Sequence, residues 1–204
     1  MTRYYELATL RIALGGAGKA AAAVERWVGA GAGTLYGAWA ADIGALNEIH
    51  VLRGFDSLAA LAQERERALR SDDPFGCVAL LAGLSMDSHV GLDFLPGIET
   101  GARGPIYEIR CYRMKPNGLV PTLEKWKAAV PERAAYSPLA VAMYSLDGEP
   151  RLTQIWPYPS LEARTRARAQ SVADGKWPPR GGPDWLQPAM SSTIALPLPF
   201  SPLA

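Results

Sequence analysis

The sequence predicts an α+β fold built from two copies of one module, because it contains an internal repeat. Four short motifs of the first half return between 99 and 104 residues later, in the same order. A nearly constant spacing between several matches indicates duplicated structural units. The matched pairs are Tyr5-Glu6-Leu7 with Tyr107-Glu108-Ile109, Trp27 with Trp126, Phe55-Asp56-Ser57-Leu58 with Tyr158-Pro159-Ser160-Leu161, and Met86-Asp87-Ser88 with Met190-Ser191-Ser192.

A segment rich in proline and glycine separates the two copies. It runs from Pro96 to Pro105, and its composition is typical of a loop. We therefore predict two domains, a first module at residues 1–97 and a second module at residues 105–204.

The second copy shows its order of elements through changes of periodicity. Residues 106–113 alternate apolar and polar side chains, which predicts a strand. A turn follows, and apolar residues then recur at helical spacing from Leu119 to Val130. Asp147-Gly148 is a hairpin signal, and Ser160 can cap a second helix. The remaining strands are predicted at Leu139 to Leu146, Arg151 to Trp156 and Ser192 to Leu198, with the second helix ending near Ala173.

The first copy follows the same order of strand, helix, strand, strand, helix, strand. This is the order of the ferredoxin-like βαββαβ module. Its elements are predicted at residues 4–12, 18–30, 35–41, 47–53, 57–70 and 85–93. A ferredoxin-like sheet carries helices on one face only, so its other face must be covered. Two linked modules can cover each other by packing sheet to sheet, as a dimeric α+β barrel within one chain.

Composition argues against several classes of function. The chain has 204 residues, of which 21 are basic and 20 acidic, so a basic surface for nucleic acid is not expected. Cys77 and Cys111 lie far apart, form no zinc or disulfide pattern, and suit a reducing compartment. No stretch approaches the roughly 20 apolar residues of a membrane helix, and no signal peptide is recognisable. We therefore expect a cytoplasmic protein without a nucleic-acid or membrane partner.

Several segments resemble the NIPSNAP family, and together they cover nearly the whole chain. Ile106 to Arg110 is similar to the family's opening Y-E-L-R strand, and Gln154 to Arg164 to its H-x-W-x-Y-x-S-L-x-x-R segment. Ile43 to Asn47 resembles the I-G-x-L-N hairpin, and Leu196 to Leu203 resembles the family's closing segment. The resemblance implies a superfamily of small-molecule enzymes and binders that includes cofactor-free monooxygenases, isomerases and haem-handling proteins. It implies no single reaction, because fold does not determine function.

Departures from the family pattern concern its polar residues. The histidine that precedes the family's tryptophan is Gln154 in the second copy and Val51 in the first. The tryptophan itself is Trp156 in the second copy, whereas the first copy has Arg53. His50 lies one place away, so strand alternation turns it to the opposite face.

The candidate site begins with Glu108, Arg110 and Tyr112, which share one face of a predicted strand. The other face carries Tyr107, Ile109 and Cys111. We expect this apolar set to face the helices and the polar set to face the partner sheet. Glu108 and Arg110 are then candidate catalytic residues, because a guanidinium can hold a carboxylate or enolate while a carboxylate moves a proton. The competing interpretation is a buried ion pair that satisfies itself.

Candidate ligand-binding residues come from five predicted strands. Gln154 and Trp156 share a face in the second copy, and Trp39 and Met143 hold equivalent places in the two copies. The alternative is that these large side chains only fill the core. We interpret the basic residues Arg164, Arg166 and Arg168 as a solvated helix face. The candidate ligand-binding residues are Tyr112, Gln154, Trp156, Trp39, Arg53 and Met143.

The two histidines, His50 and His89, have no carboxylate or second histidine at metal-ligand spacing. We therefore predict no metal site and no required cofactor. Haem ligation by one of these histidines is kept as a lesser alternative.

The sequence leaves three functions open. The first is a barrel pocket for a small organic metabolite, with cofactor-independent proton transfer, isomerisation or monooxygenase-like chemistry. The second is a non-catalytic binding or protein-interaction module, which the missing family histidine favours. The third is haem binding. We expect a small-molecule ligand and, because unpaired sheet edges invite pairing, a homodimer or higher homo-oligomer.

Overall fold

The computed structural model describes residues 4–204. Module one comprises β1 (Tyr4–Ile12), α1 (Ala17–Gly29), β2 (Thr34–Ile43), β3 (Glu48–Phe55), α2 (Leu58–Leu69) and β4 (Leu81–Gly91). Module two comprises β5 (Ile106–Met114), α3 (Leu119–Ala134), β6 (Val141–Ser145), β7 (Arg151–Tyr158), α4 (Leu161–Ala173) and β8 (Leu186–Pro197). Short 3-10 turns lie at Pro74–Gly76, Val78–Leu80 and Pro183–Trp185.

The strands form one closed antiparallel barrel in the order β1-β3-β2-β8-β5-β7-β6-β4. Strand β4 pairs back onto β1 and closes the ring. In each module the first strand lies between the third and the fourth, which is the ferredoxin-like order. The modules meet at two seams, where β2 pairs with β8 and β4 pairs with β6. The predicted α+β fold and its barrel are confirmed, while the predicted boundaries at residues 1–97 and 105–204 stay a prediction.

Barrel closure changes the argument for self-association. We expected unpaired sheet edges to favour a homo-oligomer. At both seams the edge strand of one module is hydrogen-bonded to the edge strand of the other. The edge argument therefore no longer applies, and a homodimer or higher homo-oligomer stays a prediction.

Helices cover the outside of the barrel. Ser57 and Ser160 begin α2 and α4, since each hydroxyl oxygen accepts a backbone amide hydrogen bond at 3.1 Å. Helix α3 contains Pro131 and ends at Ala134, so it extends past the apolar residues that predicted it. Within residues 4–204, no helix has both the length and the apolar character needed to cross a membrane.

Apolar side chains form three clusters. One lies between α1 and the sheet of module one, one fills the barrel, and one lies between α3 and the sheet of module two. The barrel cluster holds the modules together, because both contribute to it. Its buried members are Tyr5, Leu7, Trp39, Leu52, Tyr107, Ile109, Val141, Met143, Ile155, Ala195 and Leu203.

The two faces of β5 are reversed from our expectation. Tyr107 and Ile109 lie inside the barrel, not against the helices. Glu108 faces outwards and contacts Arg164 of α4. The physical reason is that two sheets enclose the barrel interior, which therefore takes the more apolar face. The sheet–helix space of module two accepts charge because α4 supplies arginines there.

Two strands begin earlier than predicted. Strand β4 begins at Leu81 and not at Ser85, and β8 begins at Leu186 and not at Ser192. Each added stretch pairs with the first strand of its own module. Long-range pairing thus extends both strands beyond what local alternation indicates.

Candidate functional site

Five of the predicted site residues come together between the sheet of module two and its helices. Glu108, Arg110 and Tyr112 project from β5, and Gln154 and Trp156 project from the neighbouring β7. In the β5–β7 register Glu108 lies opposite Trp156, and Arg110 lies opposite Gln154. Arg110 Nε donates a hydrogen bond to the Tyr112 hydroxyl oxygen at 2.7 Å. Directly opposed residues of antiparallel strands share a face, so period-two alternation explains this grouping.

The carboxylate of Glu108 is the centre of the arrangement, and its side chain is fully buried. Its Oε1 accepts hydrogen bonds from Arg110 Nη1 at 2.5 Å, from Arg164 Nη2 at 2.5 Å and from Ser192 Oγ at 2.7 Å. Arg168 Nη1 lies 4.0 Å from Oε2, which has no hydrogen-bond partner among residues 4–204. Three guanidinium groups thus surround one carboxylate. We call Glu108, Arg110, Arg164 and Arg168 the arginine cluster.

These contacts set the protonation state of Glu108. Burial alone would raise the pKa of its carboxyl, but hydrogen bonds from Arg164, Ser192 and Arg110 lower that pKa to about 2. Burial, together with the charge of Arg110, lowers the pKa of the Arg168 guanidinium from its usual value. The carboxylate is therefore ionised at neutral pH, while the arginines around it repel one another.

A buried amide and an aromatic wall lie beside the arginine cluster. Gln154 Oε1 accepts a hydrogen bond from Trp156 Nε1 at 2.8 Å. The buried Nε2 of Gln154 has no hydrogen-bond partner in the described part of the chain. The Trp156 ring packs 6.3 Å from the ring of Trp177, and the Arg133 guanidinium lies 4.5 Å from the Trp156 centroid. The site therefore combines an unpaired hydrogen-bond donor, Gln154 Nε2, with the apolar surface of the Trp156 ring.

Sequence reasoning missed the contributions of α4 and β8. We interpreted Arg164 and Arg168 as part of a solvated helix face, and this is wrong because both approach Glu108. Arg166, which lies between them, is exposed as expected. The signal that could have found the pair is its spacing, since residues four apart share one face of a helix. No local pattern indicated Ser192, which reaches Glu108 through the pairing of β8 with β5.

The equivalent place in module one is an ion-pair network with equal numbers of acids and arginines. Arg53, predicted to bind a ligand, is fully buried and donates to Glu6 Oε1 at 2.5 Å and to Glu64 Oε1 at 2.6 Å. Arg67 of α2 also pairs with Glu64 at 2.5 Å. The Arg67 guanidinium lies 3.8 Å from the centroid of the Trp27 ring. Two acids and two arginines balance here, and both terminal nitrogens of Arg53 contact a carboxylate. Arg53 Nε and Glu6 Oε2 have no hydrogen-bond partner among residues 4–204.

Trp39 and Met143 lie apart from the arginine cluster. Both are fully buried in the barrel interior, and the Trp39 ring is 5.4 Å from the ring of Tyr107. A cavity of about 400 Å³ opens at the β4–β6 seam, but no predicted site residue lines it. This cavity and the predicted site residues therefore occupy different parts of the molecule, and the barrel pocket stays a prediction. Ligand contact by Trp39 and Met143 stays a prediction.

The histidines are enclosed in the barrel interior. Burial lowers the pKa of His50 and the pKa of His89 to about 4. His89 Nδ1 lies 3.1 Å from the Asp87 carbonyl oxygen, and His50 Nδ1 lies 3.2 Å from Thr9 Oγ1. Neither ring lines the 400 Å³ cavity, and haem binding stays a prediction. Within residues 4–204, no three His, Cys, Asp or Glu side chains are grouped to hold a metal ion.

The architecture and the sheet–helix site define the class of protein, a dimeric α+β barrel within one chain. Solved structures with this fold come from Lactobacillus acidophilus and Fusobacterium nucleatum, and both proteins are described as a "putative monooxygenase". The first aligns with a TM-score of 0.67 and 14% identity over 97% of this chain and 94% of that one. The second aligns with a TM-score of 0.66 and 12% identity over 97% and 93%.

An anthrone oxidase-like protein shares the same fold, with a TM-score of 0.65 and 14% identity over 97% of this chain and 92% of that one. Identities this low establish the common fold and no activity. No curated protein matches the chain. The NIPSNAP family model matches residues 5–75 and 107–202, so the chain belongs to the NIPSNAP family.

Proposed function

We propose that module two binds a small organic anion between its sheet and its helices, held by Arg110, Arg164 and Arg168. The observation that carries this proposal is an excess of positive charge, because the three guanidinium groups share the single carboxylate of Glu108. Charge at a partly buried place attracts an anion more strongly than charge in water, since screening is weaker there. An organic carboxylate or enolate is the complementary ligand.

Access to the cluster supports the same proposal. The exposed fraction of the side chain rises from 12% for Arg110 to 25% for Arg164 and 34% for Arg168. A ligand can therefore approach from the α4 side and reach towards the sheet. The planar guanidinium fork suits a carboxylate in two-point contact. Gln154 Nε2, without a partner among the described residues, supplies a further donor for a second ligand oxygen.

Turnover is the second candidate function, with Glu108 and Arg110 as its predicted catalytic residues. The Glu108 carboxylate would remove a proton beside a ligand carbonyl, and Arg110 and Gln154 would stabilise the resulting enolate oxygen. The descriptions of the two bacterial proteins of the same fold motivate this alternative. A carboxyl with a pKa of about 2 is a weak base, so we favour binding over proton transfer.

Titration calorimetry with phenylpyruvate tests the binding proposal, because this compound carries both a carboxylate and an enolisable carbonyl. We expect Arg110→Gln and Arg168→Gln each to weaken binding by about tenfold or more, the effect of losing a charged hydrogen bond. The matched control is Arg166→Gln on the exposed side of α4, which should bind like the wild-type protein. Equal affinities in all four proteins would refute the proposal.

Proton exchange separates turnover from binding. Phenylpyruvate is incubated with protein in heavy water, and deuterium entering its methylene carbon is followed by NMR. Exchange well above the buffer rate, lost in a folded Glu108→Gln variant, would establish proton transfer. Binding without enhanced exchange would leave the chain as a non-catalytic binding module.

A further inference from the structure

Helices α2 and α4 carry an arginine at the same place, eight residues after the serine that caps each helix. These arginines are Arg65 in module one, after Ser57, and Arg168 in module two, after Ser160. Both side chains are partly exposed. The two modules therefore carry the same cation at this place, and they differ in what each cation contacts.

Arg65 is neutralised by a carboxylate from the other module. Its Nη1 lies 3.0 Å from Asp147 Oδ2, in the hairpin between β6 and β7. The same carboxylate oxygen accepts a hydrogen bond from Ser88 N at 2.6 Å, and Arg65 Nη1 also donates to Ser88 Oγ at 2.6 Å. A carboxylate of module two is thus bound by α2 and β4 of module one.

Strand register defines the corresponding place in module two. Ser88 lies opposite Glu6 in the β1–β4 register, and Ile194 lies opposite Glu108 in the β5–β8 register. Ile194 therefore holds in module two the place that Ser88 holds in module one. The residue at the end of β2 that pairs with Ile194 is Ile43. The hairpin between β2 and β3 thus meets module two where the β6–β7 hairpin meets module one.

The hairpin of module one offers no carboxylate at this place. Ile43 corresponds to Asp147 by spacing, because each follows its equivalent residue in the barrel, Trp39 or Met143, by four places. A bulge after Ala41 shifts the register by one residue, so that the residue following Ile43 is the counterpart by pairing, and this residue is a glycine. An apolar residue and a glycine therefore replace the acid.

Arg168 consequently lacks the partner that Arg65 has. Within residues 4–204 its one ion pair is with Glu108, at 4.0 Å, and that carboxylate is already shared with two other arginines at 2.5 Å. Asp42, in the bulge of the hairpin, forms no ion pair with any residue in this range. Module two thus leaves a cation where module one holds a carboxylate.

The surroundings of this place are apolar. Ile43 and Leu46 belong to the same hairpin, and Met190 lies opposite Tyr112 in the β5–β8 register. The side chains of Ile43, Leu46 and Met190 are each between 48% and 61% exposed. Exposed apolar side chains that lie close together are typical of a ligand-binding or interaction surface.

We propose that the anion bound at the arginine cluster is a monocarboxylate with an apolar tail, an inference that rests on the proposed function of module two. Its carboxylate pairs with Arg168 as Asp147 pairs with Arg65. Its tail covers Ile43 and Met190. The ligand therefore contacts both modules, because Ile43 belongs to module one.

Three probes separate the charge from the tail. 3-Phenylpropionate carries both, acetate carries only the carboxylate, and 3-phenylpropanamide carries the tail without the charge. By ligand-observed NMR, we expect 3-phenylpropionate to bind the wild-type protein about tenfold or more tightly than either other probe, because apolar contact and a charged hydrogen bond each add affinity. Equal affinity of 3-phenylpropionate and acetate, or of 3-phenylpropionate and its amide, would overturn the inference.

A charge placed in the hairpin locates the carboxylate. Ile43→Asp copies the acid of the other hairpin, so it should neutralise Arg168 and weaken binding of 3-phenylpropionate by about tenfold or more. The control is Leu14→Asp, which adds the same charge at an exposed residue before α1 and should bind like the wild-type protein. If Ile43→Asp also binds like the wild-type protein, the inference is wrong.

Removing the acid of the other hairpin should create a second site. Asp147→Ala frees Arg65 beside the exposed Leu146, so equilibrium dialysis should find two molecules of 3-phenylpropionate per chain instead of one. Adding Arg65→Gln to this variant should return the number to one. A single bound molecule in the folded Asp147→Ala protein would overturn the inference.

Arg168→Gln distinguishes a failure of this inference from a failure of the proposed function. If acetate and 3-phenylpropionate bind equally well and both are weakened in this variant, the arginine cluster binds anions and only the inference fails. If the variant binds both carboxylates like the wild-type protein, or if neither binds at all, the proposed function fails with it.

Discussion

The two modules place a fully buried glutamate at the same point of their first strand and neutralise it in opposite ways. In module one Arg53 of β3 forms one ion pair with Glu6 and a second with Glu64 of α2. In module two the place of Arg53 is taken by Trp156, and the arginines that reach Glu108 come from β5 and α4. The first arrangement is balanced, and the second has surplus positive charge.

The difference indicates how a structural ion pair can be distinguished from a binding site. A buried charge must be compensated in either case, so burial alone does not separate the two. A structural ion pair differs from a binding site in that protein groups neutralise all of its charge. Each arginine of the module-one network lies 2.5 or 2.6 Å from a carboxylate oxygen. Arg168 lies 4.0 Å from its carboxylate.

Removing the central arginine of module one should have the largest effect. Arg53→Met leaves Glu6 buried without its cation and should lower the free energy of unfolding by about 3–5 kcal/mol. Urea denaturation measures this loss. The control is Arg67→Met, at the partly exposed arginine of the same network, which should cost clearly less. A loss below about 1 kcal/mol for Arg53→Met would show that the network is not structural.

Acid should destabilise the barrel shared by the two modules, because both histidines are buried in its interior. Burial lowers the pKa of each histidine from 6.5 to about 4, so each is stabilising when neutral. Their contribution is complete above pH 6.5 and is lost as the pH falls towards 4, by about 3 kcal/mol for each group. His50→Gln should flatten the pH dependence of urea denaturation in this window. An unchanged slope in that variant would contradict the prediction.

The contribution of Glu108 to stability should change with pH in a lower range than that of the histidines. Burial opposes the ionisation of its carboxyl, but Arg164, Ser192 and Arg110 lower the pKa from 4.5 to about 2. The stabilisation is therefore present above pH 4.5 and is lost as the pH falls towards 2, by about 2 kcal/mol after allowance for the partly exposed arginines. The difference in unfolding free energy between wild-type protein and Glu108→Gln, measured from pH 5 to pH 2, should shrink across this range.

Inorganic phosphate should produce the smallest effect, a rise in melting temperature of a few degrees at concentrations above its dissociation constant. The excess charge of module two predicts that Arg168→Gln reduces this rise. Arg67→Gln, the arginine variant of module one, should preserve it because that network is already balanced. If both variants respond like the wild-type protein, the phosphate effect has no connection with the arginine cluster.

The sequence predicted the element order well because both halves carry the same periodic signals. Alternation also grouped Glu108, Arg110 and Tyr112 correctly, since period two determines which residues of a strand share a face. It could not determine which face turns inwards. That choice depends on what covers each face, and the covering arginines of α4 lie more than 50 residues further along the chain.

Other features of the candidate site depend on the pairing of strands that are far apart in the sequence. Ser192 reaches Glu108 only because β8 lies beside β5. Local sequence patterns do not carry these relations, and the repeat itself was the one signal that spans such distances.

Because both modules belong to one chain, equivalent positions of the two modules need not carry the same residue. A barrel made of two identical chains must carry every substitution twice, so an arginine placed at one half appears in the other as well. In this chain Arg53 and Trp156 stand at matching positions, because each lies opposite the buried glutamate of its module's first strand. After a gene duplication, one module can therefore keep a stabilising ion-pair network while the other acquires residues that serve a different function.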